Sequence, residues 1–123
     1  MDFKQLVEDA LIEGRGSPVP VGSYDQLAGN LDRLVSRAET IVGSGAYKAS
    51  LTVLKVNDMV DAGRLKATQR WLDPIGSGGE ALFPGVDLPL VVQVAGVGYI
   101  LDGHHRIAQA YETGEPVKVY WLR

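Results

Sequence analysis

Two hydrophobic periodicities meet at one short polar run near residue 104, and that meeting constrains the fold more than any other feature of the 123 residues. Residues 99–101 (Tyr-Ile-Leu) read as the end of a buried strand, and Ile107, Ala108, Ala110 and Tyr111 as the apolar face of a starting helix. Between them lies Asp102-Gly103-His104-His105-Arg106, so a strand must turn directly into a helix. Backbone N–H groups in a first helical turn lack intrahelical partners and can bind an anion. Gly103 permits a tight turn and close approach of a ligand. Arg106 offers a planar fork for phosphate or carboxylate. Both histidines of the chain, His104 and His105, sit here, and imidazole exchanges protons near neutral pH. The run predicts a small anionic site suited to phosphate groups. The structural alternative is that Asp102 only caps the helix, Gly103 only turns, and His-His-Arg is a solvated first turn.

Composition narrows the classes. The length fits one domain, and a hydrophobic content of 46% suffices for one core. Cysteine is absent, which removes disulfides, thiolate catalysis and cysteine-based zinc sites. No signal peptide and no membrane-length apolar run are visible, so a cytoplasmic location is expected. The net charge of −3 speaks against a broad nucleic-acid footprint, which needs clustered Lys and Arg.

Along the chain, Phe3, Leu6, Val7, Ala10 and Leu11 predict a short amphipathic helix over 3–13, broken by the Gly/Pro run at 14–20. A second helix starts at a Ser23 cap and carries Leu27, Leu31, Leu34, Val35, Ala38, Ile41 and Val42 as a core-facing stripe. Residues 50–56 are a strand, with Leu51 and Val53 on one face and Thr52, Leu54 and Val56 on the other. A helix follows from Asn57-Asp58 through Leu65 and is expected to continue to Leu72, with Arg64, Lys66 and Arg70 as the one basic cluster. That cluster is either a solvated helix face or a supply of positive charge for the anion site. Residues 73–87 form a long loop, a place for lids and binding loops; its Glu80 is a solvated carboxylate, a base or a metal ligand. Strands at 88–94 and 99–101 form a hairpin around 95–98. The helix after the site runs to Thr113 and ends at Gly114, and a last strand covers 117–122.

From about residue 51 to residue 123 this pattern resembles the ParB/sulfiredoxin superfamily, in its ParB-like nuclease-domain branch. The matching pieces are the strand and short helix at 51–65, the Pro-hydrophobic strand Leu88-Pro89-Leu90-Val91-Val92, and the Asp102-Gly103-His104-His105-Arg106 junction followed by Ala108 and Ala110. A final strand closes the unit. The resemblance implies an α+β fold: a small mixed sheet with helices at 48–123, preceded by two helices in an N-terminal extension at 1–47. It implies nucleotide phosphates at the junction, held by Gly103 and the N–H groups of His104 and His105 and neutralised by Arg106. Sulfiredoxins place a nucleophilic cysteine in this loop, and its absence excludes their chemistry. DNA-partitioning members add a helix-turn-helix and a dimerisation domain, so DNA clamping is not expected.

The expected function is nucleotide hydrolysis or phosphoryl transfer, with ATP or CTP and Mg²⁺ as the ligand. Positioned charge and a group that orients the nucleophile are what such chemistry needs, and Asp102, His104 and His105 are the candidate catalytic groups. Glu80 is a further candidate for orienting the nucleophile. Adjacent helical residues diverge by about 100°, so the two histidines should play different parts. The alternative is a non-catalytic module that senses a nucleotide or another phosphorylated small molecule and docks a protein partner through 1–47. A metal-dependent nuclease is third. A dedicated metal site is not expected, because helical histidine pairs that share an ion sit four apart.

Overall fold

The computed structural model describes residues 17–18, 31–68, 71–72, 83 and 85–123, with 17–18 and 71–72 described by backbone alone. In chain order the elements are β1 (Ser17–Pro18), α1 (Leu31–Gly43), a 3₁₀ turn (Ala46–Ser50), β2 (Leu51–Leu54), α2 (Val56–Asp61), β3 (Leu65–Ala67), β4 (Trp71–Leu72), β5 (Leu90–Val94), β6 (Val97–Asp102), α3 (His104–Thr113) and β7 (Val117–Leu122). The architecture is mixed α+β. Five strands form one mixed sheet in the order β2-β7-β5-β6-β3, and β1 pairs with β4 separately. The pairings β2–β7 and β5–β6 are antiparallel, while β5–β7 and β3–β6 are parallel.

Alternation along the central strands sends side chains to two cores. Val91, Ile100, Val119 and Trp121 point to one face, where Val56 of α2 and Ile107 and Ala110 of α3 cover them. Leu90, Val92, Leu101, Tyr120 and Leu122 point to the other, under Leu34 and Ala38 of α1 and under Phe83. The central strands are thus buried on both sides and read as near-continuous apolar runs, as sheets covered on both faces do. The segment before residue 48 supplies, through α1, the cover of one sheet face. The expected helix at 3–13, the part of the second helix before residue 31, and Glu80 and Arg70 lie outside the described residues.

The long helix expected from 57 to 72 does not form. It ends after Asp61, because Ala62-Gly63 closes it with a left-handed glycine (φ 68°). The Gly63 N–H donates to Val60 O and the Arg64 N–H to Met59 O, both at 2.9 Å, the paired bonds of a Schellman termination. The released chain enters β3 and buries Leu65 and Ala67 beside β6. Arg64 and Lys66 therefore stand on a strand edge. Arg64 Nε donates to Gly96 O (3.4 Å), at the end of β6 opposite the Asp102 junction. The helix after the junction and the last strand fall where the periodicity places them.

No helix among the described residues is long and apolar enough to cross a membrane.

Candidate functional site

The junction between β6 and α3 is built around Gly103. Its backbone is left-handed (φ 82°, ψ 26°), a conformation other residues adopt at a cost of about 1–2 kcal/mol. A Cβ placed there would come within 2.7 Å of the Pro89 Cα. The residue is fixed as glycine twice, by dihedral and by the approach of the segment leading into β5. Gly103 occupies the N-cap position, and no side chain caps the helix. The first ladder bond runs from the Ile107 N–H to Gly103 O (3.2 Å). The N–H groups of His104, His105 and Arg106 thus open the helix ahead of its internal bonding.

Asp102 does not cap α3, as the structural alternative supposed. Its Oδ1 accepts the N–H of Gly103 (3.0 Å) and its Oδ2 the N–H of Phe83 (3.1 Å). The carboxylate pins the end of the long loop to the end of β6. The N–H of Gly103 is consequently engaged inside the protein.

The two histidines diverge. His104 is 4% exposed, and its Nε2 accepts the backbone N–H of Thr68 at 3.3 Å. That bond needs an unprotonated Nε2, so the neutral ring carries its proton on Nδ1. Burial, with the neighbouring His105 adding repulsion, pulls this imidazole down from 6.5 to about 4. Thr68 also donates through Oγ1 to Ile100 O, so His104 belongs to a buried link between β3, β6 and α3. His105 is exposed at the same helix start.

Arg106 is exposed, and its Nη1 donates to the backbone carbonyl of Asp87 at 2.7 Å. One of the five guanidinium donors is thereby used to steer the group along the 87–89 segment that packs on Gly103. Asp87 is fixed in turn: its Oδ1 accepts the Tyr120 hydroxyl (2.8 Å). That bond, then burial, pushes the Tyr120 phenol above its ordinary 10. Tyr47 stacks edge-on against Tyr120, with ring centroids 4.9 Å apart. A pocket of about 270 Å³ begins at Arg106 and runs along α3 past Gln109, Thr113 and Glu115 to Val117.

Gly103, His105 and Arg106 are therefore brought together at one exposed helix start, with Asp102 bonded just behind them and His104 turned inward. Among the described residues, no group of three or more His, Asp and Glu side chains is close enough to share an ion. Sequence reasoning missed Thr68, Phe83, Asp87 and Pro89, the supports of the junction. Pro89 left a signal, since a proline beside a tight glycine turn is a natural packing partner; the bonds of Thr68, Phe83 and Asp87 to His104, Asp102 and Arg106 use their backbone groups and left none. No protein-family model, curated protein or solved structure matches the chain.

Proposed function

We propose that the chain is a ParB/sulfiredoxin-like protein that binds the phosphate groups of a nucleotide at the start of α3. The observation that carries the reading is the left-handed Gly103 turn, which opens α3 on uncapped N–H groups with the exposed Arg106 guanidinium anchored beside them by Asp87. Such a helix start offers hydrogen-bond donors and the positive end of the helix dipole to an anion. Arg106 adds a full charge with bidentate geometry. The pocket beyond Arg106 gives the rest of the ligand a place to lie.

Within this reading the phosphate donors are the N–H groups of His104, His105 and Arg106, with the side chains of His105 and Arg106. The Gly103 N–H serves Asp102 instead. A Mg²⁺ ion would enter with the phosphates of ATP or CTP, as it does where phosphates supply part of its coordination. Hydrolysis or phosphoryl transfer rests on His105, the exposed imidazole, as the group that orients the nucleophile or accepts its proton. Non-catalytic sensing of the nucleotide is the second reading. It is favoured by the engagement of Asp102 and His104 in bonds that hold the fold.

A thermal-shift screen with ATP, ADP, CTP, GTP and inorganic phosphate, each with and without Mg²⁺, tests the binding. A ligand that binds only the folded state raises the midpoint by mass action. The reading expects a shift with at least one nucleotide that disappears in Arg106→Ala. Turnover lost in His105→Ala supports the enzyme, and binding without turnover the sensor. No shift with any of these ligands, in a protein that melts cooperatively, contradicts phosphate binding.

A further inference from the structure

The groove that leaves Arg106 along α3 changes in chemistry from one end to the other. Arg106, Gln109 and Thr113 are spaced by three and four residues, so they share one exposed helix face. At the helical rise that face is about 10 Å long. Arg106 stands at the end nearest the helix start. The other end holds Glu115, just past the close of α3, with Pro116 and Val117 as an apolar wall. Among the described residues that line the groove, Arg106 and Glu115 are the only charged ones. Its volume of about 270 Å³ is small beside the ~300–1,000 Å³ usual for small-molecule sites. It suits a nucleoside whose phosphates extend past Arg106 onto the start of α3.

Acceptors dominate the far end. An ionised carboxylate only accepts, Glu115 is exposed, and the C-terminus of a helix adds partial negative charge. Thr113 Oγ1 already accepts the Glu115 N–H at 3.3 Å, which leaves its O–H to donate to a ligand. The exposed Gln109 carboxamide can also donate. A complementary base must offer adjacent donors to the carboxylate and an acceptor to the hydroxyl or the amide. Guanine does so: its N1–H and 2-amino group lie side by side, and O6 accepts next to them. Adenine and cytosine place a ring-nitrogen lone pair beside the amino group, where a carboxylate oxygen would repel it. Uracil has a single N–H between two carbonyls. We propose that the groove takes the base of a guanine nucleotide, with Glu115 accepting from N1–H and the 2-amino group and Thr113 or Gln109 donating to O6. This assignment rests on the reading that phosphates seat at the start of α3, and it sets guanine above the bases of ATP and CTP, which then bind through their phosphates alone.

The test titrates the ¹⁵N-labelled full chain with GTP, ITP, ATP and CTP, each with Mg²⁺, and reads affinities and backbone amides. ITP keeps N1–H and lacks the 2-amino group. GTP should bind tightest, ATP and CTP about tenfold more weakly, and ITP in between. The amides of 104–106 should shift with all four nucleotides, and those of Thr113, Glu115 and Val117 most with GTP. Glu115→Gln, an exposed substitution whose folding is checked by its melt, should weaken GTP about tenfold and leave ATP and CTP within about twofold. Equal affinities for GTP and ATP, a Glu115→Gln loss shared by all four nucleotides, or amides at 113–117 that stay in place with GTP would overturn the base assignment and leave the phosphate site standing. No response at 104–106 to any of the four would overturn the phosphate reading and the base assignment with it.

Discussion

The Nε2 of His104 accepts the backbone N–H of Thr68 at 3.3 Å, joining the first residue of α3 to the end of β3. This bond exists only while the ring is neutral. The histidine that opens the helix is thus a folding element whose titration is coupled to stability.

The sign of that coupling follows from the depressed value. The unfolded chain binds a proton at His104 as pH falls through 6.5, and the folded chain only near 4. The advantage of the folded state is complete above 6.5 and is lost progressively between 6.5 and 4. For a side chain that is 4% exposed, the full loss is ~3 kcal/mol. Urea unfolding of the native chain and of His104→Gln across this range should show it. Carboxylate titrations cancel in the difference, so the two stability curves converge toward pH 4; parallel curves would contradict the role.

Gly103→Ala should be far more costly than Gly114→Ala. Both glycines are left-handed (φ 82° and 73°), but a Cβ at 114 meets nothing within 4 Å, whereas at 103 it strikes Pro89. The first loss combines the dihedral term with overpacking, about 2–4 kcal/mol. The second is the dihedral term alone, about 1 kcal/mol. Chemical denaturation of both variants measures the gap, and equal losses would refute the close approach of Pro89.

The hairpin between β5 and β6 turns through Ala95 and Gly96, with φ of 51° and 81°. Positive values at both central positions define the turn that favours Asn-Gly, and alanine is strained there. Ala95→Asn should stabilise the chain by about 0.5–1 kcal/mol, read as a raised urea midpoint with an unchanged slope.

Asp102→Ala should release the Phe83 amide, which donates to Oδ2. The cost of a buried group left unpaired is about 1–3 kcal/mol. The specific readout is hydrogen exchange: the Phe83 amide should speed up while amides in β5 keep their protection. An unchanged Phe83 rate would show that the carboxylate does not hold the loop.

Much of this was legible in the residues. The apolar stripe of α1, the strands at β2, β5 and β7 and the helix from 104 to 113 follow from period and punctuation, because each is long enough for its pattern to outweigh local alternatives. The strand at β3 was not legible. Its three residues are too few to show alternation, and a helix-compatible run of apolar and basic residues surrounds it, so only the termination at Ala62-Gly63 betrays it. At the junction, the sequence of Gly103, His105 and Arg106 was enough to place them together at the start of a helix. The inward turn of His104 was not legible, since it depends on a backbone N–H at Thr68, 36 residues earlier, whose position only the packed sheet defines.

The most direct measurement is a titration of the ¹⁵N-labelled chain with ATP and Mg²⁺, and with CTP and Mg²⁺, followed at the backbone amides. Phosphates seated at the start of α3 predict that the His104, His105 and Arg106 amides shift together and saturably, and that Arg106→Ala abolishes the response without unfolding the chain. Amides at 104–106 that stay in place with both nucleotides, or that move equally in Arg106→Ala, would contradict it.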